Sequence, residues 1–303
     1  MGLAVKSIER LGFSISSTDP FPPAGPRGTA MTDAIVQHYT SDAIADRILK
    51  AVRATLPADA PITADALAPV DHLHGRGVLA TQELAAHLKA EPHDKVLDIG
   101  CGIGGPARWI ASKYGCHVTG IDLTAAFCEA AHQLNAATGL TDRVSIVEGS
   151  ATAMPFADAI FDKAYSQYVL MNIAAKTAFY KEALRVLRPG GLAILTCTAT
   201  GPAGVPLYPM PWAETSATSY LVTPATLRAD LQTAGFDIVA FTDLTDAILP
   251  AMRAQRQKLA DGPPPVLGIH VFRPNIAAAA ANMARSLEDG RLRTVEAVLR
   301  RPM

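Results

Sequence analysis

Short apolar runs alternate with segments of helical periodicity from Lys95 onward. The runs are KVLDIG, CHVTGID, RVSIVEG, FDKAYSQ and GLAILTC, and most of them are separated by stretches in which apolar residues recur at helical spacing. A further helical pattern, Val78 to Lys89, precedes the first run. Strands that alternate with helices predict an α/β domain with a parallel sheet covered on both faces.

The alternation stops after Cys197. Residues 198–223, TATGPAGVPLYPMPWAETSATSYLVT, are rich in proline, glycine and aromatic residues and are too long for an ordinary connection, so we expect a lid insertion. Beyond it the pattern predicts a helix capped by Thr223, a strand at Asp237 to Asp243, a helix over NIAAAAANMARSLEDG and a closing strand over RLRTVEAVLRR.

The N-terminal part has a different character. Residues 1–30 contain the breaker-rich stretch STDPFPPAGPRG, and we expect weak order there. The helical spacing of TDAIVQHYTSDAIADRILKAVRA follows, and PADAPITADALAPVDHLHGRG is broken by prolines and ends in a polar turn. We therefore expect residues 31–90 to form a helical cap on a main domain of residues 91–303.

Composition narrows the classes of function. The 303 residues carry a formal net charge of -1, and lysine and arginine are scattered, which argues against a nucleic-acid partner. Uncharged apolar runs are too short to span a membrane, and the chain start lacks a signal-peptide core, so we expect a cytoplasmic protein. The four cysteines are widely spaced, which argues against a zinc site or a disulfide framework, and we expect no metal.

A glycine loop follows the first predicted strand in the stretch VLDIGCGIGGPAR. Gly100, Gly102 and Gly105 satisfy the G-x-G-x-x-G pattern, and Asp122 ends the next strand about 20 residues on. Those features alone also fit NAD. Asp98, however, lies two residues before the first glycine, where a carboxylate disfavours a pyrophosphate and favours a ligand with an amino group and a sulfonium.

The motifs that follow carry a family resemblance. VLDIGCGIGG, GID, EGSATAMPF, FDKAYSQ and LRPGG resemble, in order and spacing, the motifs of class I S-adenosylmethionine-dependent methyltransferases. GIGGPAR, QYVLMNI, LYPMPWA and SLEDGR resemble the type 11 or UbiE-like group of small-molecule enzymes, related to sarcosine, dimethylglycine, phosphoethanolamine and tocopherol methyltransferases. The resemblance implies a Rossmann-like, seven-stranded, mostly parallel sheet with an antiparallel last strand.

The resemblance also implies S-adenosylmethionine as the cofactor and assigns its contacts. Asp122 would accept from the ribose hydroxyls and Leu123 would pack on the adenine, which Ser150 would address where the family often has Asp. The residues assigned to the cofactor are Asp98, Gly100, Cys101, Gly102, Asp122, Leu123, Ser150, Ala151, Ser166 and Gln167.

Methyl transfer is an in-line displacement, for which a protein must orient and desolvate the nucleophile and, where needed, remove its proton. The turn DHLHGRG resembles the DQFHTRG turn of the group, with His74 and Arg76 matching. Tyr39 lies where relatives cover the cofactor with an aromatic side chain, and Tyr168 stands where relatives often carry His. We take Tyr168, His74 and Tyr39 as catalytic candidates.

The further candidates for the wall of the expected substrate pocket are Arg76, Met171, Asn172, Tyr208 and Trp212. The aromatic residues of the insertion, Tyr208, Trp212 and Tyr220, either line that pocket or only anchor a long loop, and the alternative for the turn that carries His74 and Arg76 is a solvated turn. The acceptor is expected to be a small molecule, with nitrogen, oxygen and carbon all open as the methylated atom. Two other functions stay open at this point, an NAD-binding oxidoreductase and a cofactor-binding protein without catalysis. The oligomeric state is left open as well.

Overall fold

The computed structural model describes residues 43–74, 76–262, 265–271, 273 and 276–303. Within them, seven strands form one sheet in the order β3-β2-β1-β4-β5-β7-β6. The strands are β1 (Lys95–Ile99), β2 (His117–Asp122), β3 (Val144–Glu148), β4 (Phe161–Gln167), β5 (Leu187–Thr200), β6 (Asp237–Asp243) and β7 (Leu292–Arg300). Strands β1 to β5 pair in parallel, and β7 lies antiparallel between β5 and β6. This arrangement confirms the Rossmann-like α/β fold expected from the sequence.

Helices precede the sheet and connect its strands. They are α1 (Ile44–Arg53), α2 (Ala64–Asp71), α3 (Val78–Leu88), α4 (Gly105–Tyr114), α5 (Ala125–Ala137), α6 (Lys176–Val186), α7 (Pro224–Thr233), α8 (Thr245–Asp261) and α9 (Ile276–Glu288). The predicted cap of α7 is present, since the Thr223 hydroxyl accepts from the Thr226 N–H at 3.1 Å. Among the described residues, no helix combines the length and apolarity needed to cross a membrane.

Three parts of the fold differ from the sequence prediction. Helix α2 forms where prolines predicted a break. Pro57 and Pro61 lie before the helix, Thr63 caps its start, and Pro69 is the one proline within it. Helix α8 had no predicted counterpart. Strand β5 continues to Thr200, so the insertion begins at Gly201 and not at residue 198.

The core lies on both faces of the sheet, as alternation along the parallel strands requires. One face packs Leu97 and Ile99 of β1 against helices α6 and α7, and the other packs Val96 against α3, α4 and α5. A third cluster joins the N-terminal helices α1 and α2 to α5 through residues that include Ile48 and Leu67. The carboxyl ends of β1, β2 and β4 are thereby left facing α2 and the α2–α3 turn.

Candidate functional site

A cavity of about 330 Å³ lies at the carboxyl ends of the parallel strands, where this fold class binds ligands. Its wall brings together twelve residues that the sequence had singled out. They are His74, Asp98, Gly100, Cys101, Gly102, Asp122, Leu123, Ser150, Ala151, Gln167, Tyr168 and Asn172. The cavity therefore joins the glycine loop to the ends of β2, β3 and β4 and to the turn before α3.

The glycine loop is held tightly against its neighbours. The N–H groups of Gly100 and Cys101 both donate to the carbonyl of Ile121, at 2.8 and 3.0 Å. Gly100 has a φ of +80°, and a Cβ there would lie 2.4 Å from Cγ2 of Val169. Only glycine fits at this position, both for its backbone conformation and for the approach of the loop after β4.

Helix α2 is clamped to the start of α4. A Cβ on Gly105 would lie 2.2 Å from the carbonyl oxygen of Asp71. The Asp71 carboxylate pairs with the fully buried Arg108 at 2.9 Å, and Arg108 also donates to Asn135 at 2.9 Å. Burial alone raises the pKa of Asp71, but the hydrogen bond from His72 and the charge of Arg108 outweigh it and hold the pKa below its usual value.

Asp122 organises the loop from the end of β2. One carboxylate oxygen accepts from the Gly102 N–H at 2.8 Å, and the other accepts from the Thr124 N–H at 2.9 Å. Burial raises the pKa of Asp122, and the two N–H donors oppose that rise. The neighbouring Leu123 lines the cavity with 41% of its surface exposed, which leaves an apolar surface for a flat ligand.

Asp98 is buried to 2% exposure and accepts a hydrogen bond of 2.9 Å from the hydroxyl of Tyr165. Burial raises the pKa of Asp98 to about 8, the Tyr165 hydrogen bond opposes the rise, and the charge of Asp122 adds to it. Sequence reasoning missed Tyr165. The available signal was strand register, since Asp98 and Tyr165 are partners on the adjacent parallel strands β1 and β4.

His74 and Tyr168 lie together on the cavity wall. Their rings stack with centroids 5.3 Å apart and planes at 24°. Burial, together with the charges of His72 and Arg76, lowers the pKa of His74 to about 3, so this imidazole is neutral at pH 7. Burial raises the pKa of Tyr168, which keeps its phenol protonated.

Thr81, which the sequence had not singled out, joins two of these residues. Its hydroxyl donates to Oε1 of Gln167 at 3.2 Å and lies 3.5 Å from Nε2 of His74. Thr81 belongs to α3 and is fully buried. No local pattern in the sequence marked it, because Thr81 and Gln167 are 86 residues apart.

Several predicted site residues lie elsewhere. Ser166 is buried and donates to the carbonyl of Ile99 at 2.8 Å, so it supports the glycine loop from behind the cavity wall. Arg76 is held by Glu83 through two N–H groups and does not line the cavity. Tyr39 falls outside the residues that the structure describes.

The aromatic residues of the insertion also differ from expectation. Met171, Tyr208 and Trp212 belong to an apolar cluster that also contacts Tyr168, and they do not line this cavity. The indole N–H of Trp212 donates to the Ser219 hydroxyl at 2.9 Å, so both its apolar body and its polar atom are occupied. Tyr220 does reach the cavity wall.

Metal-binding and disulfide chemistry find no support in the described part of the chain. None of its histidine, cysteine and acidic residues gather in a group of three or more that could hold a metal ion. The four cysteines are buried and unpaired.

Comparison with known proteins agrees with this geometry. Residues 97–195 match a family model described as a methyltransferase domain. Over 196 residues the chain is 32% identical to Methyltransferase GfsG of Streptomyces halstedii, and the match covers 60% of this chain and 69% of that protein. The chain belongs to this methyltransferase family.

Other relatives match shorter portions of the methyltransferase. The 24-methylenesterol C-methyltransferase 2 of Oryza sativa subsp. japonica is 40% identical over 111 residues, which is 37% of this chain. The matched region spans only 31% of that curated relative's length. A solved structure of geranyl diphosphate methyltransferase with GPP and sinefungin superposes with a TM-score of 0.66 at 20% identity, covering 90% of this chain and all of that one. This likeness shows that the fold is shared.

Proposed function

We propose that this protein transfers a methyl group from S-adenosylmethionine to a small-molecule acceptor. The observation that carries the proposal is that the buried carboxyl group of Asp98 and the half-buried one of Asp122 both line one cavity with the glycine loop. S-adenosylmethionine, when bound, supplies a methyl group already activated by its sulfonium. A pyrophosphate ligand would meet the carboxyl group of Asp98 beside the glycine loop, which disfavours NAD, whereas Asp122 fits the ribose of either ligand.

The residues around the loop fit the parts of this cofactor. Asp98 would face its cationic methionine end, with the backbone of Gly100, Cys101 and Gly102 allowing close approach. Asp122 would accept from the ribose hydroxyls with the carboxylate lone pairs that its two N–H donors leave free.

The adenine would lie between Leu123 and the loop after β3. Ser150 lines this part of the cavity, and its hydroxyl already bonds the Thr152 hydroxyl at 2.8 Å and accepts from the Thr152 N–H at 3.2 Å. That local turn holds Ser150 and Ala151 in place to address the adenine edge. Gln167 would close the cofactor pocket on the side of His74.

His74 and Tyr168 would receive the acceptor beyond the methyl group. A neutral imidazole accepts a proton from a nucleophile, whereas the protonated phenol of Tyr168 orients it. The described part of the N-terminal cap, residues 43–74 and 76–90, and the lid insertion would exclude water from the transfer. Orientation of the acceptor and exclusion of water then suffice for the transfer, because the sulfonium has already activated the methyl group.

The site of action is proposed to be the cytoplasm, with no nucleic-acid partner. Cys101, Cys116, Cys128 and Cys197 are all unpaired, which is typical of a reducing compartment. The scattered positive charge and the net charge of -1 fit a small neutral or mildly charged substrate better than a polyanion.

A transfer assay tests the proposal. The full chain, incubated with methyl-labelled S-adenosylmethionine and the small-molecule fraction of a cell extract, should form S-adenosylhomocysteine and a labelled product. Cofactor binding without transfer to any acceptor would instead favour a binding protein. Binding of NAD with no affinity for S-adenosylmethionine would favour the oxidoreductase.

A further inference from the structure

Two buried polar atoms without a hydrogen-bond partner belong to residues of the cavity wall where the methyl acceptor is proposed to bind. Within the described chain, Nδ1 of His74 and Nε2 of Gln167 are shielded from solvent and have no hydrogen-bond partner. Both residues line the cavity. Buried polar atoms are nearly always paired in folded proteins, so two such orphans on one cavity point to a ligand that pairs with them.

Thr81 determines which of these atoms donates and which accepts. Its one hydroxyl proton is given to Oε1 of Gln167, which leaves its lone pairs for the Nε2–H of His74, 3.5 Å away. The ring proton of His74 is then on Nε2, and Nδ1 presents a lone pair. The same contact occupies Oε1 of Gln167, so the amide atom left without a partner is Nε2, a hydrogen-bond donor.

We propose that this acceptor and donor form the nucleophile subsite, and that it takes a neutral hydroxyl group, so that the enzyme methylates oxygen. A hydroxyl donates its proton to Nδ1 of His74 and accepts from Nε2 of Gln167. Thr81 is a positioning residue for both. The inference rests on the proposed methyl transfer.

Charged acceptors satisfy only half of the subsite. An ammonium group has no lone pair for Gln167, and a carboxylate or phosphate has no proton for His74. An aromatic cage for a cationic amine is not built here either, because His74 covers one face of Tyr168 and Trp212, in the apolar cluster against which Tyr168 packs, does not line the cavity. Among the described residues that line the cavity there is no lysine or arginine to pair with an anion.

The step balances without another reactant. An oxygen lone pair of the acceptor forms the new C–O bond as the C–S bond breaks, and the electron pair of that bond stays on sulfur. The hydroxyl proton passes to Nδ1 of His74 and from there to solvent. Burial keeps the His74 ring neutral before the reaction. The hydroxyl oxygen becomes strongly acidic as the C–O bond forms, so even this weakly basic imidazole suffices to accept its proton.

Nuclear magnetic resonance of the ¹⁵N-histidine-labelled full chain, saturated with S-adenosylhomocysteine, tests the subsite without turnover. The probes are benzyl alcohol, benzylamine and benzoate, which share one ring and differ in the polar group. We expect His74 to carry its proton on Nε2, and only benzyl alcohol to shift the Nδ1 resonance. A proton on Nδ1, or an equal shift with benzylamine, would overturn the inference.

Variants separate positioning from folding. Thr81→Val should leave His74 as a mixture of its two tautomers. In the transfer assay with the small-molecule fraction of a cell extract, S-adenosylhomocysteine should form about ten-fold more slowly, which corresponds to the free energy of one hydrogen bond. The KM for S-adenosylmethionine should be unchanged. Thr81→Ser should restore both the single tautomer and the rate. Thr119→Val, a buried threonine of β2 outside the cavity wall, is the matched control. An unchanged tautomer in Thr81→Val contradicts the positioning role.

Gln167→Glu gives a second route if Thr81→Val does not fold, because it keeps the side-chain size and removes the donor. The benzyl alcohol shift should then be lost, and its retention would count against the subsite. Binding of S-adenosylhomocysteine is measured in the same samples. Failure to bind it would refute the proposed function, whereas binding with a preference for benzylamine would refute the hydroxyl subsite alone.

Discussion

The hydroxyl of Tyr165 donates a 2.9 Å hydrogen bond to Asp98, and neither side chain is accessible to solvent. The two residues are register partners on β1 and β4, so the backbone pairing of the sheet fixes their contact. Burial raises the pKa of Asp98 to about 8, and the hydrogen bond from Tyr165 opposes that rise by favouring the charged form. Tyr165 therefore influences how readily Asp98 meets a cationic ligand.

Affinity for S-adenosylmethionine should rise with pH. A cationic ligand favours ionised Asp98, so binding strengthens as the pH approaches about 8 and levels off above it. Tyr165→Phe removes the opposing hydrogen bond and should move the rise to higher pH. Calorimetric titrations across this range measure the effect, with Tyr180→Phe, another buried tyrosine on α6, as the control. Identical profiles for wild type and Tyr165→Phe would contradict the role of Asp98.

Stability of the empty protein should show the opposite trend at the same residue. Between the unfolded pKa of about 3.9 and the folded pKa, the unfolded chain has released the Asp98 proton and the native protein has kept it. The native state therefore binds more protons, and this group's contribution to stability falls as pH rises from about 4 to about 8. Asp98→Asn should stabilise the fold more at pH 8 than at pH 5 in urea unfolding. A pH-independent difference would show that Asp98 is already ionised.

The stability lost by substituting Gly100 should be partly restored by a second substitution, whereas the stability lost at Gly105 should not. An added Cβ at Gly100 meets the side chain of Val169, whereas one at Gly105 meets the backbone carbonyl of Asp71. Val169→Ala should therefore recover part of the stability lost in Gly100→Ala, the remainder being the strain of a positive φ. The same Val169→Ala should not improve Gly105→Ala. Thermal unfolding of the two glycine variants, each with and without Val169→Ala, measures the recovered stability. Equal recovery in both glycine variants would contradict the packing described.

Trp212 should affect stability and leave cofactor binding unchanged. It fills an apolar cluster and donates to Ser219, so Trp212→Ala should cost about 3 to 5 kcal/mol of unfolding free energy. Ser219→Ala, which removes only the hydrogen-bond partner, should cost about 1 kcal/mol. Denaturant unfolding and titration with S-adenosylhomocysteine measure the two properties. A loss of affinity without a loss of stability would place Trp212 at the ligand after all.

Local patterns sufficed for much of the fold and failed for specific contacts. The strand from Asp237 to Asp243 and the Thr223 cap were predictable because alternation and capping depend on neighbours in sequence. Helix α8 was not predictable from local patterns, because it contains Pro250, a residue that usually ends a helix. At the site, the glycine loop and Asp122 formed a local motif, whereas Tyr165 and Thr81 reach the site through register and packing over long sequence distances.

The aromatic insertion shows a second limit of sequence reasoning. Tyr208, Trp212 and Tyr220 lie close together in the chain, and composition alone gave each the same two interpretations, pocket or anchor. The structure divides them, with Tyr220 at the cavity and the other two in the cluster behind it. Tertiary packing decides which side chains of a long loop point inward. An irregular loop has no hydrophobic periodicity from which the sequence could predict them.

Calorimetric titration of the full chain with S-adenosylhomocysteine and, separately, with NAD tests the central claim most directly. Saturable binding of S-adenosylhomocysteine and none of NAD is predicted. Asp122→Ala should weaken that binding by about 1 to 3 kcal/mol, because the ribose hydroxyls lose a charged acceptor. Glu148→Ala, at the exposed register partner of Asp122 on β3, should leave it unchanged. Binding of NAD in place of S-adenosylhomocysteine would contradict the account.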